Sequence, residues 1–256
     1  AQEGMGHLGK NTKQIRELMA RKKWTKAARL ISNPRAEAQL VRGSAFLKAK
    51  KNREALAALN KARGKTDHLN DFVELKRAQA LMALDRPEDV LVALGAIKMP
   101  MLVGVQFNRL KARALRESGQ IDDALAVYDA MLKSEQSSEI PVALLGLARL
   151  YSDRKSPKDS LEYIKRLDIE YPTHWTTKKA RVLALTTVAT HPSLMGLWTT
   201  RTPLERLRRG EAYLKRHRNR AAIRELSGLG DRLKEPDDKC RQQYALGRAL
   251  RKRRKW

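Results

Sequence analysis

The sequence predicts an all-α fold, a right-handed α-solenoid of helix hairpins, from its composition, from the absence of strand signals and from one recurring residue spacing. The chain is 42% hydrophobic and 32% charged, with only 5% aromatic residues, which is too apolar for a disordered chain. Its abundant Ala, Leu, Arg and Lys lose little rotamer freedom in a helix. Runs of β-branched residues bounded by hairpin turns are absent from the sequence. One spacing of small and apolar residues recurs along the chain.

The recurring unit contains a small residue, an apolar or aromatic residue three positions later, and a second small residue twelve positions after the first. Five units share it: Gly43/Phe46/Ala55, Ala78/Leu81/Val90, Ala112/Leu115/Ala124, Ala148/Tyr151/Ser160 and Gly210/Tyr213/Ala222. The second small position advances by 35, 34, 36 and then 62 residues, the last step fitting two degenerate units. An apolar residue follows it by four positions: Leu59, Leu94, Tyr128, Ile164 and Leu226.

This pattern resembles the tetratricopeptide repeat, whose period of about 34 residues comprises two antiparallel helices. The two small residues are expected where these helices cross, because small side chains let the backbones approach closely. Breakers such as Asp85-Arg86-Pro87 and Ser118-Gly119-Gln120 fall at the expected turns. The alternative, an irregular helical bundle, has no fixed period.

The pattern divides the chain into three segments. Residues 1–172 are predicted to form a tetratricopeptide-like array, 173–203 an irregular helical junction, and 204–256 a second repeat segment. In the junction, Trp175 and Trp198 are expected in a core, with an exposed binding surface as the alternative. Gly247 and Leu250 match the start of a further unit, so we expect the natural protein to continue beyond Trp256 into its second helix.

The sequence contains no recognisable catalytic, cofactor or metal site. Neither a phosphate-binding G-x-x-x-x-G-K-[ST] loop nor a G-x-G-x-x-G motif after a strand occurs. The histidines, at positions 7, 68, 174, 191 and 217, form no H-x-x-x-H pair. The single Cys240 excludes an internal disulfide and is expected to be a packing thiol. No apolar run is long enough to span a membrane.

The net charge of +26 predicts attraction to polyanions such as nucleic acid, anionic lipid or a wall polymer. Residues 1–84 and 201–256 each carry 19 basic and 7 acidic side chains, whereas residues 85–170 are nearly neutral. A basic partner-binding face is predicted near the carboxyl terminus, with solvated helix faces as the alternative. Its candidate residues are Arg206, Arg209, Lys215, Arg216, Arg220, Arg251 and Arg254.

Residues 165–256 also resemble the superhelical N-terminal region of soluble lytic transglycosylases, which cleave the glycan strands of peptidoglycan. The resemblance is carried by Glu170-Tyr171-Pro172-Thr173-His174 and by residues 202–213, 218–226 and 240–250. It implies a periplasmic or cell-envelope protein. The catalytic domain of that family has a Glu-Ser pair followed by an aromatic residue and a proline. Here Glu117-Ser118 runs into a repeat turn, so no catalytic residue can be assigned.

The leading hypothesis is therefore a non-catalytic scaffold, the helical region of such a transglycosylase. It would hold a protein, a peptide or peptidoglycan in a concave groove and would need no cofactor. One alternative is a free-standing tetratricopeptide adaptor for protein–protein interaction in an envelope complex. Another is a basic repeat protein that binds nucleic acid, although stacking aromatic residues are scarce. A cytoplasmic location is the alternative to the envelope.

Overall fold

A computed structural model describes residues 8, 11–65, 68–134 and 138–253, with the side chain of Leu102 excepted. Helices and turns make up this part of the chain, and no strand occurs in it. Internal contacts divide the protein into two units, Ala1–Val127 and Tyr128–Trp256. The division falls inside a helix and is independent of the boundaries predicted at residues 172 and 203, which stay predictions.

The first unit contains α1 (Thr12–Ala20), α2 (Trp24–Leu30), α3 (Ala36–Lys48), α4 (Asn52–Ala62), α5 (Asn70–Ala83), α6 (Pro87–Gly95), α7 (Pro100–Val103) and α8 (Val105–Glu117). Helix α9 (Ile121–Lys133) follows, and the second unit continues with α10 (Ile140–Asp153), α11 (Pro157–Glu170), α12 (Trp175–Thr190), α13 (Met195–Thr199), α14 (Pro203–Lys215), α15 (Asn219–Leu226) and α16 (Pro236–Arg253). Consecutive helices pack as hairpins, including α3 with α4, α5 with α6, α10 with α11 and α14 with α15.

The turns inside the hairpins share one backbone geometry. A left-handed residue ends each first helix, at Lys22, Lys50, Asp85, Gly119, Lys155 and His217. The next backbone N–H donates to a carbonyl five residues back, on Leu18, Phe46, Leu81, Leu115, Tyr151 and Tyr213. This is a Schellman-type cap, which satisfies carbonyls that the helix end would leave without a partner. Five of these acceptors are the apolar positions of the sequence repeat, so the predicted register is confirmed.

We expect Lys155→Gly to raise the free energy of unfolding by about 0.5–1 kcal/mol. The left-handed conformation costs a non-glycine residue about 1–2 kcal/mol, and glycine removes this cost. Part of the resulting stabilisation is offset because glycine also has more conformational freedom in the unfolded chain. Lys158→Gly, three residues later in the first turn of α11 (Pro157–Glu170), should instead lower the free energy of unfolding, by less than the roughly 1 kcal/mol that glycine costs in a helix interior. Urea unfolding midpoints measure both. Equal losses of stability in the two variants would contradict this account of the turn.

Small residues occupy the predicted crossing points. A Cβ atom added at Gly43 would lie 2.5 Å from Leu59 Cγ, and one added at Gly210 would lie 2.6 Å from Leu226 Cγ. Ala55, Ala148 and Ser160 are fully buried. The Ser160 hydroxyl donates to the Ala148 carbonyl at 2.7 Å, which joins the two small positions of one hairpin. The prediction that small residues allow close helix approach is confirmed.

A buried carboxylate ties together the helices of the second unit. Asp168 on α11 is fully buried and lies 2.6 Å from the guanidinium of Arg181, 2.7 Å from that of Arg201 and 3.2 Å from that of Arg209. Arg209 also donates to Glu225 on α15 at 2.6 Å. Since these arginines come from α12, the segment before α14, and α14, the network fixes α11, α12 and α14 beside one another.

The two tryptophans of residues 173–203 differ in their burial. Trp198 packs against the core of α10–α12, as predicted. Trp175 is 46% exposed at the first position of α12, so the expectation that it fills a core is wrong.

Cys240 is exposed on α16, so the expectation that it is a packing thiol is wrong. It faces away from the side of that helix that packs on α14 and α15. No helix in the described ranges is long and apolar enough to cross a membrane.

Candidate partner-binding cleft

An open cleft of about 830 Å³ lies within the second unit. One wall is the turn between α11 and α12, from Glu170 to Trp175. The opposite wall is the exposed side of α14, together with Arg216 and Arg218 in the turn before α15. The Asp168 network holds these walls, because it joins α11 and α12 to α14.

Four basic side chains line the cleft: Arg208, Lys215, Arg216 and Arg218. All four are exposed, and none forms an ion pair with another residue of the described chain. The lining acids are already paired. Glu170 lies 3.0 Å from Arg166, and Glu211 accepts two hydrogen bonds from Arg241, at 2.7 and 3.1 Å. The cleft therefore presents uncompensated positive charge and favours an anionic ligand.

An aromatic platform stands beside these cations. The Trp175 ring is partly exposed, and the His174 ring packs on it with a centroid distance of 5.5 Å. Lys179 places its ammonium 5.1 Å from the Trp175 centroid, within cation–π range. Tyr171 adds a third ring to the same wall. The cleft can thus take an apolar or aromatic group together with a negative charge.

His174 begins α12 as its N-cap. Its Nδ1 accepts from the Thr176 backbone N–H at 3.4 Å and lies 2.7 Å from the Thr176 hydroxyl. A protonated Nδ1 could not accept the bond from the Thr176 backbone N–H, so the cap requires neutral imidazole with its proton on Nε2. Burial lowers the pKa of His174 below its ordinary value, and the positive charge of Arg216 lowers this pKa further. The rim of the cleft is therefore sensitive to acid.

We expect the protein to lose stability as the pH falls below the ordinary histidine pKa of about 6.5 and through the lower pKa of folded His174. In that window the unfolded chain binds the proton more readily than the folded chain, so the free energy of unfolding decreases as the pH decreases. In His174→Asn this contribution disappears while an N-cap side chain remains. Urea midpoints of both proteins from about pH 7.5 to about pH 5 measure the difference. Parallel profiles would contradict the assignment.

The structure brings only part of the predicted basic face to this cleft. Lys215 and Arg216 line it. Arg220 and Arg251 are exposed but do not line it, and Arg254 lies outside the described residues. Binding through the full set stays a prediction.

Two arginines of the predicted set already form hydrogen bonds and ion pairs within the protein. Arg209 is bound by Asp168 and Glu225, and its guanidinium stacks 5.3 Å from the Tyr213 ring. Arg206 donates to the Arg224 carbonyl at 3.1 Å and lies 3.8 Å from Glu225. These contacts would have to break before either side chain could bind a partner, so we leave both out of the candidate site.

The sequence analysis placed Trp175 in a core and therefore did not include it in the candidate site. The local signal was its position, directly after Pro172-Thr173-His174 and at the start of a helix, where a large side chain can remain outside the hairpin. The described residues contain no cluster of three His, Cys, Asp or Glu that could hold a metal ion.

Comparisons with known proteins support the assignment of tetratricopeptide-like repeats. Residues 109–174 match the tetratricopeptide repeat family. A crystal structure of a tetratricopeptide repeat protein from Parabacteroides merdae ATCC 43184 matches with a TM-score of 0.58 and 14% identity, covering 93% of this chain and 96% of that one. No curated protein matches this sequence.

The fold class predicted from the sequence, an all-α solenoid of tetratricopeptide-like hairpins, is therefore confirmed. The structural match establishes the fold, but at 14% identity it gives no information about the ligand. The family match ends at His174, on the wall of the cleft. The resemblance to lytic transglycosylases stays a prediction, because neither match names that family.

Proposed function

We propose that this protein is a non-catalytic binding scaffold whose cleft holds an acidic peptide segment of a protein partner. Tetratricopeptide hairpins are a fold of interaction surfaces, since stacked repeats create extended binding faces. The observation that supports the ligand class is the arrangement of four exposed cations without ion pairs beside Trp175, while both lining acids are paired. The peptide would place carboxylates on the cations and an apolar side chain on the indole.

The expected affinity is moderate. An exposed charge pair contributes about 0.2–1 kcal/mol, so the four cations orient the peptide and speed its approach more than they hold it. Packing of an aromatic side chain on Trp175 contributes about 0.5–1.5 kcal/mol beyond the area it buries. These contributions are small beside the cost of ordering the peptide, so burial of apolar area on the indole has to supply most of the remaining binding free energy.

A fluorescein-labelled peptide, Glu-Glu-Asp-Phe-Leu-Glu-Asp-Glu, tests the proposal by fluorescence anisotropy. Its matched control replaces every Glu by Gln and every Asp by Asn. We expect the acidic peptide to bind and the control to bind at least about tenfold more weakly. A single-stranded oligonucleotide probes the nucleic-acid alternative. If the oligonucleotide binds with a steep salt dependence while the peptide does not, that alternative replaces the proposal. Absence of binding by both probes would also overturn the proposal.

A second candidate is the helical region of a peptidoglycan lytic transglycosylase in the bacterial envelope. It is favoured by one observation: residues 170–174, one of the segments that carry the resemblance to that family, form a wall of the cleft. In this case the acidic ligand would be the peptide-bearing glycan. Co-sedimentation with purified sacculi tests it. Salt-sensitive co-sedimentation that the acidic peptide displaces would support this candidate, and protein that stays in the supernatant would remove it.

A further inference from the structure

One face of α12 carries apolar side chains that the described chain leaves uncovered. Val182 is 58% exposed and Leu185 is 60% exposed, one turn apart. Trp175 and Ala189 are exposed on the same side, since positions 175, 178, 182, 185 and 189 follow the three- and four-residue spacing of one helix face. We call Trp175, Val182, Leu185 and Ala189 the α12 stripe. Single exposed apolar residues are ordinary, whereas a row of them marks an interaction surface.

The corresponding face is covered one repeat earlier. Val182 and Leu185 lie 34 residues after Ala148 and Tyr151 on α10, which is one repeat period. Ala148 is fully buried, and the Tyr151 ring stacks on Tyr163 of α11 with a centroid distance of 5.4 Å. On α10 the cover is therefore α11, the second helix of the same hairpin. The protein itself shows that a helix fits this face.

The helix that follows α12 is too short to provide this cover. α13 has five residues, whereas α11 has fourteen and α4 has eleven. Trp198 of α13 packs against the core formed by α10, α11 and α12. Residues 191–253 follow α12 in the described chain, and they leave Val182 and Leu185 exposed. The open face is thus an internal feature of the repeat array.

α12 is held in place from its other side. Ala180, Ala184 and Val188 are buried in the core that α12 forms with α10 and α11. The Thr177 hydroxyl donates to the Tyr171 carbonyl at 2.6 Å, which fixes the first turn of α12. The stripe is therefore a preformed surface that a partner would not need to reshape.

The charges along α12 define the character of the occupant. Lys178 and Lys179 are exposed at its amino-terminal end, and neither forms an ion pair with another described residue. The Lys179 ammonium lies 5.1 Å from the centroid of Trp175, which also lines the cleft, so the stripe begins at the cleft. Residues 182–190 contain no charged side chain. An occupant with carboxylates at the cleft end and apolar side chains further along matches this distribution.

We propose that the α12 stripe binds an amphipathic helix of the same acidic partner whose peptide segment occupies the cleft. This inference rests on the function proposed for the cleft, because the two surfaces meet at Trp175. Carboxylates of the partner lie in the cleft and beside Lys178 and Lys179, and the partner continues from there as a helix whose leucines pack on Val182 and Leu185. A second copy of this protein is disfavoured as the occupant, because each copy carries a net charge of +26.

The dimensions of the stripe set the length of the partner helix. Trp175 and Ala189 are separated by about 21 Å along the axis of α12, so a helix of about fourteen residues covers the stripe. Carboxylates at the amino-terminal end of a helix stabilise it. We therefore expect the acidic segment to come first in the partner sequence and the helix to follow it.

An extended peptide tests the occupant directly. The probe is the acidic peptide described above, followed by Ala-Leu-Ala-Gln-Leu-Ala-Gln-Ala-Leu-Ala-Gln-Leu-Ala-Gln, whose leucines share one helix face. Its matched control contains the same fourteen added residues, reordered so that the leucines point in different directions. In anisotropy measurements with the protein of residues 1–256, the probe should bind at least about tenfold more tightly than its control or the acidic peptide alone, because its leucines bury apolar area.

Two results separate this inference from the function proposed for the cleft. If the acidic peptide binds and the extension adds no affinity, the helix proposal is overturned and the cleft remains the binding site. If the acidic peptide alone does not bind, the proposed function fails, and the inference that rests on it fails as well.

Substitutions in the stripe locate the gain in affinity. Val182→Gln with Leu185→Gln should reduce the affinity of the extended peptide to that of the acidic peptide alone, whose own affinity should not change. Val92→Gln with Met101→Gln is the matched control, since these residues are 68% and 95% exposed elsewhere in the chain. Equal weakening of the extended peptide in both double variants would overturn the proposal.

The same stripe variant tests the other possible occupants. Val182→Gln with Leu185→Gln should leave the urea midpoint unchanged, because both side chains are exposed. A lowered midpoint would show that another part of the chain covers the stripe. A dimer of the parent protein in sedimentation velocity that is lost in the variant would assign the stripe to a second copy. Either result would overturn the proposal.

Discussion

Asp168→Asn is expected to lower the free energy of unfolding by about 3–5 kcal/mol, the largest loss we expect from a single substitution in this protein. The change keeps the shape of the side chain but removes its charge. Arg181, Arg201 and Arg209 would then face one another around a neutral amide, with Arg209 only 12% exposed. Guanidinium groups remain protonated at every relevant pH, so the protein cannot relieve this repulsion by losing a proton.

The matched control is Asp89→Asn, which removes an exposed ion pair with Arg86 at 2.7 Å. Exposed pairs contribute less than about 1 kcal/mol, so this variant should unfold nearly as the parent does. Urea is the suitable denaturant because it does not screen charges as guanidinium chloride does. If Asp168→Asn costs less than about 1 kcal/mol, the network does not hold the walls of the cleft as described.

Reversing the charge of Lys215 and Arg216 together is expected to weaken the acidic peptide by about 30-fold or more. Each reversal removes an attraction of about 0.2–1 kcal/mol and adds a repulsion of similar size, so the pair changes the binding free energy by about 2 kcal/mol. Both side chains are exposed at the end of α14, and the substitutions leave the Asp168 network intact.

Arg220→Glu with Arg251→Glu is the matched control for this reversal. These residues are equally basic and exposed, and the variant has the same net charge, but neither residue lines the cleft. We expect at most a small loss of affinity, from weaker long-range attraction, and this loss should vanish at higher salt. Equal losses in the two double variants would mean that the peptide responds to total charge and not to the cleft.

The hairpin architecture could be predicted from the sequence because the residues that determine the hairpin recur at the same positions in each repeat. Gly43 and Gly210 are small where helices cross, and Phe46 and Tyr213 supply the carbonyls of the turn caps. Such local constraints depend on residues that are close in the sequence. Periodicity therefore revealed them without knowledge of the three-dimensional structure.

The candidate cleft could not be predicted in the same way, because it depends on contacts between distant residues. Arg209 and Lys215 look alike in the sequence, yet Arg209 is bound by Asp168, which lies 41 residues earlier, while Lys215 has no such partner. Trp175 was expected in a core because large aromatic residues usually pack there. Its exposure follows from the path of the α11–α12 turn, which residue spacing does not determine.

The most direct test of the proposed function is to observe Trp175 during peptide binding. The protein of residues 1–256 with isotope-labelled tryptophan gives indole signals from its four tryptophans, and Trp175→Phe identifies the relevant one. As the acidic peptide is added, we predict a saturable shift of the Trp175 signal that follows the anisotropy curve and disappears in the Lys215→Glu, Arg216→Glu protein. Saturated binding that leaves the Trp175 signal unmoved would place the peptide elsewhere and contradict the cleft as the binding site.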